Sequence, residues 1–322
     1  MRRWTAILTT WVLLAGLVVQ AGQSQSLVAE VRAAIARQDF ARGQQLVGDD
    51  RAANGVTPQM LLALSWLGRG ALGAGQFDEA ERYARQTYDL ALSELKVRPL
   101  DQEPQLPIAL GAAIEVLAHV GAERGARSES VAFLRRELET YKDTSINKRI
   151  QKNINLLNLE GTAAPSLDLA EFLGPKPQPI DKLNGQVVIL FFWAHWCSDC
   201  KSEAPVLADL ASRYRERGLA LMAPTQRYGY VAGGEAATAD EEARYIDQVR
   251  QTAYGSLGTV SVPLAERNHT RYGVSTTPTL VVLDRKGLVR LYHPGRISTE
   301  ILEPLVQRLL AEGTGSSGPS DE

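Results

Sequence analysis

The chain has 322 residues, enough for two domains of ordinary size, and its 44% hydrophobic and 22% charged residues are the balance of a soluble globular protein. A formal charge of −2 excludes the basic footprint of a nucleic-acid-binding protein. At the start, Met1-Arg2-Arg3 precedes an apolar stretch over 4–19, and Val19-Gln20-Ala21 offers the small residues a signal peptidase needs. An export signal over 1–21, cleaved after Ala21, is therefore expected, with an uncleaved membrane anchor as the alternative. No cysteine follows the stretch, so no lipid-modified N-terminus is expected.

From 27 to 160 the chain carries no β signal and is rich in Ala, Leu, Arg and Glu at helical spacing, which predicts an all-α domain. Within it Leu67, Gly68, Ala71, Gly75, Phe77 and Ala80 fall at intervals that resemble a tetratricopeptide repeat. Small residues there would let two antiparallel helices approach while Phe77 plugs the seam. A fainter echo surrounds Gln38-Asp39-Phe40, and further helices are expected over 106–120, 128–141 and 145–159, with Pro99, Pro104 and Pro107 marking a break between pairs. This half is read either as a plain helical packing domain or as a groove for a protein partner.

Prolines 165, 175, 177 and 179 punctuate 161–185, as suits a linker. A buried strand follows over 187–193, then a helix over 197–217, a strand over 219–223 and a helix over 240–254. Two strands, 279–283 and 288–292, are turned by Lys286-Gly287, and 301–310 forms a closing helix. The order implies an α/β domain over 161–311, and 312–322 is expected to be a disordered tail.

The two cysteines of the chain, Cys197 and Cys200, sit three apart in Trp196-Cys197-Ser198-Asp199-Cys200, directly after the first strand. A strand followed at once by a helix places Cys197 in the first helical turn, where orphan N–H groups and the helix dipole favour a thiolate. As a staple so short a loop would remove only about 2 kcal/mol of unfolded-state entropy. As a zinc site it lacks a second Cys-x-x-Cys, and the four histidines show no matching spacing, so no metal is expected. A redox dithiol is the favoured reading.

Gly161-Thr-Ala-Ala-Pro165, Gly185, Phe192-Trp193-Ala194, Trp196-Cys197, Cys200, Glu203, Pro205, Tyr272-Gly273-Val274, Thr277-Pro278 and Asp284-Arg-Lys-Gly287 together resemble the TlpA and ResA type of extracytoplasmic thioredoxin-like oxidoreductases. The likeness covers 161–311 and leaves the helical half outside. It implies a thioredoxin fold, no cofactor, Cys197 as the attacking thiol and Cys200 as the resolving one. It also implies a cis Pro278 that sets the Thr277 backbone against the dithiol, and Glu203 as the group that takes and returns the Cys200 proton. Phe191 stands where cytoplasmic thioredoxins carry a buried aspartate, so the acid has to come from elsewhere. Ser198-Asp199 replaces the common Xaa-Pro pair between the cysteines, and His195 would favour the thiolate if protonated, although a solvent-facing flank is the favoured expectation.

Parallel strands joined by the cysteine helix end on one sheet edge, so the loop 225–239, with Arg227, Tyr228 and Tyr230, emerges beside Cys197. Tyr228 and Tyr230 are accordingly candidate substrate-binding residues, and the resemblance adds Trp196 and Thr277 to them. The leading function is an exported thiol-disulfide oxidoreductase that reduces protein disulfides and is recharged by a membrane electron donor. A thiol peroxidase is an alternative, although no Arg-Thr cluster flanks Cys197. A helical partner-binding scaffold with an accessory thioredoxin domain is another.

Overall fold

The computed structural model describes residues 26–312; the expected export signal and the expected tail beyond Glu312 lie outside them. The N-terminal region is all-helical: α1 (Leu27–Ala36), α2 (Phe40–Asn54), α3 (Pro58–Gly73), α4 (Phe77–Glu94), α5 (Leu106–Glu123), α6 (Arg127–Thr140) and α7 (Asn147–Asn158). Local chemistry starts several of these helices. Ser26, Asp39 and Thr57 accept the N–H of Ala29, Arg42 and Met60, and Pro58 occupies the first turn of α3, where no intrahelical donor is needed. Gly68 fits the expected seam, since a β-carbon there would lie 3.5 Å from the Ala84 backbone nitrogen on α4. Phe77 is half-buried against the same core. Helix α5 is long and apolar enough to cross a membrane, yet 61% of it is buried inside this region, where it serves as the core helix.

The C-terminal region holds β1 (Phe172–Leu173), β2 (Val187–Phe192), α8 (Ser198–Tyr214), β3 (Leu219–Met222), α9 (Ala239–Thr252), β4 (Val262–Pro263), α10 (Glu266–Arg271), β5 (Thr279–Leu283), β6 (Val289–Pro294) and α11 (Thr299–Ala311). The main sheet runs β3-β2-β5-β6, with β2 parallel to β3 and antiparallel to β5. This mixed sheet flanked by helices is the thioredoxin fold.

Every residue of β2 is buried, which is why its sequence is an uninterrupted apolar run rather than an alternation. Val187, Ile189 and Phe191 pack with Leu207 of α8, Ile246 of α9 and Val306 of α11. Val188, Leu190 and Phe192 pack on the other face with Leu159, Tyr272 and Tyr292.

The segment 161–185 is more ordered than a plain linker. Gly161 N–H bonds Val289 O, Val289 N–H bonds Thr162 O, and β1 pairs antiparallel with β4. Two-residue strands carry too little periodicity to be read from sequence. Helix α8 begins one residue later than expected, with Cys197 as its N-cap, and ends at Tyr214 in a 3-10 turn that runs through Arg217.

Candidate redox site

The Cys197 and Cys200 sulfurs are joined at 2.07 Å, and Cys197 Sγ also accepts the Cys200 N–H at 3.0 Å. Two contacts fix the strand end that delivers them. Trp193 Nε1 donates to Ala223 O at 2.9 Å, and Thr225 Oγ1 donates to Trp193 O at 2.8 Å. Tyr254 adds a third from below, its hydroxyl donating to Ala194 O at 3.1 Å. Cys200 is fully buried and Cys197 is 3% exposed, whereas Trp196 beside it is 49% exposed. Trp196, Ser198 and Asp199, not the sulfurs, are the parts of the motif presented to solvent.

Glu203 lies one turn beyond Cys200 on α8 and is itself buried. Burial raises the affinity of its carboxyl for a proton, and the Ile297 N–H and Arg296 pull it part of the way back. Arg296 Nε stands 3.5 Å from Glu203 Oε2, while Glu203 Oε1 has no hydrogen-bond partner. The Thr277-Pro278 peptide is cis, and Thr277 Oγ1 is buried without a partner. Phe191, at the position of the missing aspartate, is core and packs its ring 6.4 Å from that of Tyr254.

His195 is not the solvent-facing flank expected of it. Its side chain is 2% exposed, with Nε2 3.4 Å from Glu242 Oε1. The rings of Tyr228, Tyr230 and Tyr245 stand edge-on to it at 5.6, 5.3 and 5.3 Å. Burial lowers the imidazole's proton affinity, and the Glu242 carboxylate opposes that. The loop turns inward over the histidine because Glu242 accepts the backbone N–H groups of both Tyr228 and Gly229. Tyr228 in turn stands edge-on to Trp196 at 5.5 Å, so the tyrosines and the exposed tryptophan form one aromatic ledge.

Sequence reasoning missed Glu242, Tyr254 and Arg296. Glu242 left a trace: with Ile246 and Val249 it falls on the buried stripe of α9, an unusual place for a carboxylate. Among the described residues no group of three or more His, Cys, Asp or Glu side chains could hold a metal ion.

Residues 180–310 match the family described as thioredoxin-like domain. A stretch of 75 residues is 36% identical to the thiol-disulfide oxidoreductase ResA of Oceanobacillus iheyensis, covering 22% of this chain and 39% of that protein. ResA of Bacillus thuringiensis is 27% identical over 153 residues, which is 46% of this chain and 78% of the relative. The thiol:disulfide interchange protein DsbE of Xylella fastidiosa is 28% identical over 155 residues, 48% of this chain and 71% of its own. The C-terminal region is therefore a thioredoxin-like domain, homologous to thiol-disulfide oxidoreductases of the ResA and DsbE kind.

Proposed function

We propose that the protein is an exported thiol-disulfide oxidoreductase that reduces disulfides of protein substrates, with the helical region 27–160 and the redox region 161–311 as its two domains. The observation that carries this reading is the Cys197–Cys200 pair with a buried carboxyl of raised proton affinity, Glu203, one turn further along the same helix. In the reduced enzyme the Cys197 thiolate attacks one sulfur of the substrate disulfide, forms a mixed disulfide and releases the other sulfur as a thiolate, which takes a proton. The Cys200 thiol then passes its proton to Glu203 and attacks Cys197 Sγ. The second substrate sulfur leaves as a thiolate and is protonated, and the Cys197–Cys200 disulfide remains.

Two electrons have gone to the substrate, so a dithiol donor has to restore the pair. Outside the cytoplasm that donor belongs to the membrane. Trp196, Tyr228 and Tyr230 supply an apolar ledge for the polypeptide around the disulfide, and the Thr277 backbone pairs with its main chain beside Pro278.

The deciding experiment equilibrates the Cys197/Cys200 pair with glutathione and follows insulin reduction. A potential well below that of the extracytoplasmic glutathione poise, with turnover abolished by Cys197→Ser, is the expected result. A potential near that of strong disulfide donors overturns the direction of electron flow. Turnover that survives Cys197→Ser overturns the assignment of the nucleophile. Equal turnover of all protein disulfides after Tyr228→Ala and Tyr230→Ala removes the ledge from substrate selection.

A further inference from the structure

Helix α7 of the helical region touches both segments that flank the redox pair. From one side, Lys148 Nζ donates to Gln226 Oε1 at 3.1 Å and to Glu266 Oε1 at 2.9 Å. Gln226 is buried and lies between Thr225, which bonds the Trp193 carbonyl, and Tyr228 of the aromatic ledge two residues on. The lysine thus grips the root of the loop 225–239.

On the other side Gly273, at φ 59°, presses against the α7 backbone so closely that a β-carbon would come within 2.3 Å of the Lys152 nitrogen. Four residues beyond it stands Thr277, the residue before cis Pro278. The Tyr292 hydroxyl donates to Tyr272 O at 2.7 Å and to Gly273 O at 3.3 Å, holding this turn from below. Helix α7 is itself fastened inside the helical region. Arg149 Nε and Lys152 Nζ reach Glu115 Oε2 on α5 at 3.1 and 2.9 Å. Burial alone would raise the Glu115 carboxyl, yet these two cations hold it down at about 2.

We propose that α7 is a positioning element of the redox site, with Lys148 setting the substrate loop and the Gly273 contact setting the segment that ends at cis Pro278. This rests on the reading of Cys197 and Cys200 as the reacting dithiol. It gives the helical region a role in catalysis that needs no separate ligand. The two segments that shape the sulfur's surroundings are each tied to one rigid helix, and that helix is tied to a core that includes neither.

The test uses the full chain and the variants Lys148→Met, Lys148→Arg and Gly273→Ala. Methionine keeps the aliphatic stem and removes both hydrogen bonds, so the fold survives. Hydrogen exchange over 225–239 is expected to quicken about tenfold in Lys148→Met while β2 stays protected. In the same variant KM for insulin is expected to rise about threefold with the rate toward glutathione disulfide unchanged, and Lys148→Arg should restore both. Gly273→Ala is expected to loosen 274–279 instead. Exchange at wild-type levels in both Lys148→Met and Gly273→Ala overturns the proposal. A wild-type protein that transfers electrons to neither disulfide overturns the redox reading instead, and exchange alone then decides whether α7 braces the loops.

Discussion

His195 Nε2 and Glu242 Oε1 lie 3.4 Å apart, both side chains sealed from water, two residues from the sulfur of Cys197 along the chain. Glu242 also accepts the Tyr228 and Gly229 N–H groups, so a single carboxylate joins α9, the aromatic ledge and the turn before the cysteines. Removing it leaves two backbone donors without their acceptor and the buried imidazole without its neighbouring carboxylate. Glu242→Ala is expected to lower stability by about 2–4 kcal/mol, since each buried group left unpaired costs about 1–3 kcal/mol. Glu242→Gln keeps a carbonyl acceptor and should lose less than half of that. Urea midpoints of the two variants check the order, and equal losses would show that the carboxylate's hydrogen bonds are not what holds the loop.

Arg296 is largely exposed, yet its guanidinium is the cation nearest the buried Glu203 carboxyl. It works against burial, which raises the proton affinity of that carboxyl. Without the arginine the carboxyl should hold its proton to still higher pH. Arg296→Ala is therefore expected to move the Glu203 limb of the pH–rate profile upward, and Glu203→Gln to erase it. The measurement is the rate of insulin reduction from pH 5 to 9; a limb that stays in place in Arg296→Ala separates the arginine from the proton step.

Acid should destabilise the fold through His269. Its ring is fully buried edge-on to Phe192 at 5.4 Å. Burial first, and then the Lys148 ammonium, push its pKa down to about 3. An unfolded histidine titrates near about 6.5. The stabilisation from keeping this ring neutral is thus complete above that value and is lost as pH falls toward 3, because the unfolded chain takes up a proton that the folded one refuses. His195, shifted in the same direction, adds to the loss. Glu203 is raised, so its contribution has the opposite sign: present at low pH and lost as pH rises through its folded value. Between pH 7 and 5 the His269 contribution amounts to about 2 kcal/mol. Urea midpoints at the two pH values should differ by that order in the wild type, and the difference should shrink by a similar amount in His269→Leu.

What could be read from sequence divides by the range of the interaction. The dithiol, the strand before it, Glu203 and the Thr277-Pro278 pair sit in short local patterns, and the structure gathers Cys197, Cys200 and Glu203 at the head of one helix. The inward turn of His195 could not be read locally, because its cause is a carboxylate 47 positions away on another helix. Lys148 and Gln226, 78 residues apart, are similarly silent: a surface-type lysine and a loop glutamine acquire meaning only once α7 docks on α10. The β1–β4 pair escaped for a different reason, its strands being too short to display a period.

The α3–α4 seam offers a test of the small-residue pattern that the sequence does display. A β-carbon at Gly68 would stand 3.5 Å from Ala84 N and 3.6 Å from both Ala80 O and Tyr83 Cβ, ordinary contact distances. Alanine therefore fits, and it relieves the backbone-entropy cost of a mid-helix glycine, so Gly68→Ala should raise stability by about 0.5–1 kcal/mol. Valine has two more carbons and no room for them without spreading the helices. Gly68→Val should cost about 1–3 kcal/mol through overpacking. Opposite signs for the two substitutions, measured as urea midpoints, are the signature of a seam set by contact distance. A loss with alanine as large as that with valine would mean that the backbones lie closer than this packing allows.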